Sequence, residues 1–183
     1  MHTLGGAPGT NDGETPHMGM SVIISPATQD DAEQILKLQY LGYQDEAALY
    51  GDWAIEPLTQ TLESLRAELG EQEFFVARLG DEVVGTVRGR LDADGTARIG
   101  RLVVHPRMQR HGLGGRLLDA VERRLQAVGT VYAFELFTGH RSLGNLRLYA
   151  RHGYRQTGVR EVSGRLSLVT LSKTVPVPLA ASA

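Results

Sequence analysis

The stretch from Ala97 to Leu125, ARIGRLVVHPRMQRHGLGGRLLDAVERRL, constrains the fold more tightly than any other. Ala97 to Val104 is a β-rich run that ends at His105-Pro106, where proline has no N–H to donate and holds the residue before it extended. Leu113, Leu117, Leu118, Val121 and Leu125 then recur at helical spacing and predict an amphipathic helix. Between the run and the stripe lie Gln109-Arg110-His111-Gly112-Leu113-Gly114-Gly115. A strand that feeds glycines into the first turn of a helix leaves backbone N–H groups without intrahelical partners, and no Cβ atoms keep a ligand away from them. Such an end attracts anions, phosphate above all.

Spacing excludes two common phosphate loops. A dinucleotide fingerprint starting at Gly112 needs a third glycine where the chain has Leu117, and no acidic strand end follows at the expected distance. A Walker A loop needs Gly-Lys-Ser/Thr, and the only lysines are Lys37 and Lys173. The loop instead resembles the acyl-CoA loop of the GNAT superfamily of N-acetyltransferases, on Gln109-x-x-Gly112-x-Gly114 preceded by Leu102-Val103-Val104-His105-Pro106. The resemblance implies that the backbone from Gln109 through Arg110, His111, Gly112, Leu113, Gly114 and Gly115 grips the pyrophosphate of acetyl-CoA. Arg107, Arg110 and His111 are then free to meet the pyrophosphate or the ribose phosphate, arginine by bidentate contact. The plainer alternative is a glycine-rich helix start that only turns the chain.

A chain of 183 residues fits one domain with a sizeable core. Its net charge of −2 carries no signature of nucleic acid or an anionic membrane, and without cysteine there is no disulfide scaffold, thiol nucleophile or thiolate metal site. No apolar run approaches the ~20 residues of a membrane span, and residues 1–19 have neither the basic start nor the apolar core of a signal peptide. Those residues are expected to be disordered, 20–175 to form the domain and 176–183 to be a flexible tail, in a cytoplasmic protein.

Order is expected to begin with a β run from Ser21 to Ser25, closed by Pro26, and then a helix capped by Thr28 with Ala32, Ile35, Leu36 and Gln39 in its stripe. From Tyr40 to Pro57 the pattern breaks into aromatics mixed with Asp45, Glu46, Asp52 and Glu56, which suits an irregular wall of an acceptor pocket or, alternatively, a cap on the sheet. A helix from Leu58 or Thr59 to Leu69 is expected to stop at Gly70. Phe74 to Leu79, Val83 to Leu91 and Thr96 to Val104 read as a meander with glycine turns, and Val131 to Thr138 as the next strand. Strand, helix and strand in that order favour a right-handed parallel crossover, which sets the last of these strands beside the one ending at Val104. Arg155 to Val162 and Leu166 to Thr174 complete the sheet around Ser163-Gly164.

A second motif, Ser142-Leu143-Gly144-Asn145-Leu146-Arg147-Leu148-Tyr149-Ala150-Arg151-His152-Gly153-Tyr154, reads as a helix with Leu143, Leu146 and Ala150 inward and Gly153 as its stop. Ser142, Asn145 and Tyr149 share a face. This also resembles the GNAT family, whose asparagine-containing helix lies along the pantetheine and sets its tyrosine near the sulfur. Many members carry the asparagine where this chain has Ser142, with Asn145 one turn nearer the tyrosine.

The resemblance covers roughly residues 21 to 174 and implies a single α/β domain of α+β type. Its mixed, mostly antiparallel twisted sheet has about seven strands, helices on both faces and a splayed central parallel pair. Diverging strands leave backbone groups unpaired, and the amide-rich pantetheine can pair with them along Leu102, Val103 and Val104. The implied reaction is acetyl transfer from acetyl-CoA to a primary amine by direct attack. Tyr149 is the candidate general acid for the leaving thiolate, and Glu135 the candidate base, because Gly100 stands where family members often carry an acid. Tyr149 as a packing residue and Glu135 as an exposed strand charge are the plainer readings. The six histidines show no ligand spacing, so no metal is expected; His105 and His140 read as turn residues. The alternative function is an acyl-CoA sensor that performs no transfer. Expected partners are acetyl-CoA and an amine acceptor, with no nucleic acid and no membrane; a homodimer stays open.

Overall fold

The computed structural model describes residues 21–176; the expectations for residues 1–19 and for the tail beyond 176 lie outside them. Strands β1 (Val22–Pro26), β2 (Glu73–Leu79), β3 (Glu82–Leu91), β4 (Thr96–Val104), β5 (Ala133–Gly139), β6 (Arg155–Glu161) and β7 (Ser167–Thr174) form one sheet in the order β1-β2-β3-β4-β5-β7-β6. Every neighbouring pair is antiparallel except β4 and β5, which run parallel as the crossover rule predicts. Those two strands pair only at Thr96 with Ala133, Ala97 with Phe134 and Arg98 with Glu135, and then diverge.

A β-bulge sharpens the divergence. Arg88 faces Gly100 while Thr86 faces Val103, so Arg101 and Leu102 together oppose Val87, and Arg101 takes the left-handed φ of 52°. An extra residue in one strand breaks the ladder and bends it. The bend turns the end of β4 away from β5.

Helix α1 (Ala32–Gly42) begins after a short 3-10 turn in which the Thr28 N–H donates to Asp31 Oδ2 at 2.8 Å. Between Tyr40 and Pro57 the structure corrects the expectation of an irregular wall: α1 runs to Gly42, α2 spans Gln44–Tyr50 and α3 spans Glu56–Thr59. Tyr43, Ala47 and Tyr50 lie at helical spacing, and Ala47 and Tyr50 are buried. Acidic residues interleaved with them hide that period in the sequence. Gly51, at φ 63°, ends α2 in the left-handed conformation that glycine adopts without strain. The next helix also starts later than expected, because Gln60 is extended and Thr61 Oγ1 accepts the Ser64 N–H at 3.1 Å as the cap of α4 (Leu62–Glu71). Gly70 is inside α4, not its stop.

The long α5 (Leu113–Val128) crosses one sheet face, burying Leu113, Leu117, Leu118, Val121 and Leu125, each worth roughly 1.5–3 kcal/mol of transfer from water. It sits close because β3 offers glycines: a Cβ on Gly85 would lie 2.9 Å from Leu117 Cδ1, and one on Gly89 2.8 Å from Leu125 Cδ1. On the opposite face Ile35 and Leu38 of α1 and Leu65 of α4 pack with Phe74, Val76, Val83 and Val103. The stripe expected for α6 (Leu143–Arg151) is rotated. Leu143 is 58% exposed and Ala150 is exposed, while Tyr149 is the buried residue, tilted against Tyr154 with ring centroids 5.9 Å apart. Tyr149 and Tyr154 join the α5 core, and the short helix turns to follow them.

Candidate functional site

Where β4 and β5 part, a cleft of about 460 Å³ opens between β4, the loop into α5, α6 and the α1–α2 corner. The loop that heads it is built for an anion. After Pro106–Met108, a short 3-10 turn, Arg110 takes φ 66° and Gly112 takes φ 73°. Gly112 then caps α5 without any side-chain acceptor. Among the described residues, the N–H groups of Gly112, Leu113, Gly114 and Gly115 find no acceptor within the chain, and the first such bond is Arg116 N–H to Gly112 O at 3.2 Å. Alternating left-handed residues followed by a bare helix start form an anion nest on a positive helix end.

The glycines also let α6 approach. A Cβ on Gly115 would lie 2.7 Å from His152 Nε2, and one on Gly114 3.1 Å from Leu148 Cδ2. Leu102, Val103 and Val104 of β4, Gln109, Arg110, Gly112, Leu113, Gly114 and Gly115 of the loop, and Asn145 of α6 all line the cleft. The Gln109 side chain donates to Val104 O at 3.2 Å, tying the loop to the strand end, and Asn145 Nδ2 donates to Thr138 Oγ1 at 3.3 Å, tying α6 to β5.

Four expected residues are not in the cleft wall, and one of them, Arg107, is salt-bridged to Glu82. His111 Nδ1 lies 2.8 Å from Gln109 O and holds the turn. Tyr149 is 6% exposed; burial first, then the nearby Tyr43 and Glu46, keep its phenol protonated well above the usual range. Glu135 sits at the paired end of β4 and β5 and is salt-bridged to Arg98. The three rungs that join the strands hold its backbone away from the splayed end, so the structure does not bring it to the site.

Other groups occupy that side. Tyr43 and Glu46 line the cleft from the α1–α2 corner. Burial raises the Glu46 carboxyl above its ordinary value, against the pull of Arg101 and a hydrogen bond with Ser142. Burial likewise pushes the Tyr43 hydroxyl up to about 12. Arg101, carried inward by the bulge, has a side chain 9% exposed; its guanidinium lies 5.9 Å from the Tyr43 ring centroid, and Nη2 lies 3.2 Å from Glu56 Oε1. Sequence reasoning passed over Arg101, because a bulge leaves no mark in the alternation of a strand. Glu46 stood only among several acids of the Tyr40–Pro57 segment. The one usable signal was its offset of three from Tyr43, which sets both on one helical face. Among the described residues no three His, Asp or Glu side chains converge as metal ligands, and no helix is long and apolar enough to cross a membrane.

A splayed parallel pair, a bulged β4 and a glycine nest at the head of α5 define an acyl-CoA acetyltransferase architecture. The chain belongs to the acetyltransferase (GNAT) family, whose model matches residues 33–154. No curated protein matches it by sequence. Among solved structures, the PaiA N-acetyltransferase of Thermoplasma acidophilum in complex with coenzyme A is 18% identical with a TM-score of 0.71, covering 85% of this chain and 100% of that one. YncA of Salmonella typhimurium, with its cofactor acetyl-CoA, is 17% identical with a TM-score of 0.71, covering 89% and 99%. The ribosomal-protein-S18-alanine N-acetyltransferase of Escherichia coli is 16% identical with a TM-score of 0.71, again covering 89% and 99%. At these identities the likeness is one of fold.

Proposed function

We propose that this chain transfers an acetyl group from acetyl-CoA to a primary amine by direct attack, without a covalent enzyme intermediate. The observation that carries this reading is the row of unpaired amides from Gly112 to Gly115 at the head of a cleft whose sides are two parting strands. A diphosphate on those amides sets the pantetheine along Leu102, Val103 and Val104, and Asn145 reaches it from α6.

In the reaction, one proton of the acceptor ammonium goes to Glu46, whose raised pKa makes it a better base than an ordinary carboxylate, and then to solvent. The free amine forms a C–N bond to the thioester carbonyl, and a backbone N–H near Val104 stabilises the oxyanion. As the adduct collapses, the C–S bond breaks and nitrogen sheds a second proton. That proton passes to solvent and balances the one that Tyr149, buried behind the wall but within electrostatic reach of Tyr43 and Glu46 in it, delivers to the sulfur. Glu46 replaces Glu135 in the role of base because it lies in the cleft wall and Glu135 does not.

Calorimetric titration with acetyl-CoA, followed by thiol release with a panel of amines and peptides, tests the reading. Saturable binding with acceptor-dependent thiol release is expected, and Gly112→Glu is expected to abolish binding. Binding without acceptor-dependent release would favour the acyl-CoA sensor. Absence of heat with any coenzyme A derivative would overturn both.

A further inference from the structure

Arg101 stands out among the polar groups that fold stability leaves unexplained. Its side chain is nine-tenths buried, and among the described residues Nε finds no hydrogen-bond partner. A buried, unpaired guanidinium N–H costs free energy comparable to a lost charge-assisted hydrogen bond. The residue also adopts φ 52°, a strained conformation for an arginine. Among the described residues its one salt-bridge partner is Glu56 of α3, which reaches Nη2 at 3.2 Å while remaining 75% exposed. Nε and Nη2 form one edge of the guanidinium fork, the edge that takes a carboxylate through two parallel bonds. Glu56 meets Nη2 from the water side and leaves Nε enclosed and unpaired behind it, so that only its displacement opens the whole edge.

Two carboxylates act on this corner, Glu56 on Nη2 and Glu46 within electrostatic reach of the guanidinium. Glu46 faces the cleft beside Tyr43, and the face of Tyr43 packs near the Arg101 guanidinium. A cation at Arg101 disfavours a bare ammonium close to it. An ammonium joined to a carboxylate meets both signs: carboxylate to Arg101, amine to Glu46.

We propose that the acceptor is a small amino-carboxylate whose anionic end displaces Glu56 and takes the Nε–Nη2 edge of Arg101, while its amine lies toward Glu46. This rests on the acetyltransferase reading above and narrows its acceptor. Glu56 is a resident stand-in for the acceptor's carboxylate. The bulge at Arg101 is what turns the guanidinium to the acceptor side of β4.

The test is acetyl-CoA-dependent thiol release by the whole chain with three matched sets of acceptors: free L-amino acids together with β-alanine and γ-aminobutyrate, the corresponding amides, and the decarboxylated amines. At least one free acid is expected to exceed its own amide in kcat/KM by about tenfold or more, since a site built to bind a polar group discriminates against analogues that lack it. Arg101→Gln is expected to erase that preference while leaving coenzyme A binding heat unchanged, and Arg101→Lys to restore part of it. Glu56→Gln, which removes the competing carboxylate, is expected to lower KM for the acid and leave that for the amide alone. If Arg101→Gln loses coenzyme A binding through misfolding, the Glu56→Gln split between acid and amide decides. Amides or simple amines used as well as the acids, or Arg101→Gln lowering all sets alike, would overturn this inference and leave acetyl transfer standing. Coenzyme A binding with no release to any acceptor would overturn both.

Discussion

Tyr154 donates its hydroxyl to Glu122 Oε1 at 2.6 Å, joining the strand entry after α6 to the middle of α5 beneath the cleft. Lys173 of β7 donates to the other oxygen, Oε2, at 2.6 Å, and its ammonium lies over the rings of Phe134 and Tyr154. Burial and the Glu122 carboxylate both hold the Tyr154 phenol protonated far above its ordinary range.

Removing the shared acceptor leaves a buried phenol and a half-buried ammonium unpaired. Glu122→Ala is expected to cost about 2–4 kcal/mol, and a Glu122→Met, Lys173→Met pair to recover only part of the loss, because it removes the orphaned ammonium but leaves the Tyr154 hydroxyl without its acceptor. Urea unfolding of the two variants checks this.

Gly115 and Gly112 separate two reasons for a glycine. Gly115→Ala places a methyl 2.7 Å from the His152 ring, so the ring must turn aside or α6 shift, with an expected loss of about 1–3 kcal/mol and weaker coenzyme A binding. At Gly112 nothing lies within 4 Å, but φ is 73°, and Gly112→Ala is expected to cost about 1–2 kcal/mol from backbone strain alone. Thermal unfolding with and without coenzyme A distinguishes the two.

Burial works against the Asp31 carboxylate, but Arg78 Nη2 at 2.6 Å and the Thr28 N–H outweigh it and hold its pKa below the ordinary value. A depressed pKa means that the folded state binds its proton later than the unfolded state. The stabilisation is therefore present above the unfolded value of about 3.9 and is lost as pH falls through the lower folded value. Asp31→Asn is expected to flatten the acid limb of stability below about pH 4 and to lower stability at neutral pH, both read from denaturant midpoints across pH.

A general base acts only when deprotonated. Because burial raises the Glu46 carboxyl, the acid limb of kcat/KM is expected at higher pH than an ordinary carboxylate gives. Glu46→Gln is expected to remove that limb and to lower kcat by about 10²–10⁴-fold with coenzyme A affinity unchanged. Tyr149→Phe is expected to lower kcat without moving the acid limb. An unchanged rate across the whole profile would remove Tyr149 from the chemistry.

The meander, the parallel crossover and the glycine loop were legible because each leaves a local signature: β runs divided by glycine turns, a leucine stripe, and glycines at a helix start; that β7 comes between β5 and β6 was not. The acceptor side was not. Its helices α2 and α3 are short, the apolar face of α2 consists of Ala47 and Tyr50 with Tyr43 at its cap among acids, and Pro57 sits inside the four-residue α3. The α6 stripe was misassigned because Tyr149, whose phenol looks half-polar in a sequence, is the residue the core takes. Glu135 looked available on a facing strand, but the register that locks it to Arg98 is a tertiary fact.

The sheet amounts to two panels, one of four strands and one of three, stitched together by three residue pairs. So short a seam resists bending poorly, and the core that α5 shares with Phe134, Leu136, Tyr149 and Tyr154 braces it. An extended molecule lodged in the wedge becomes a splint. Occupancy of the gap is thereby coupled to the rigidity of the entire domain.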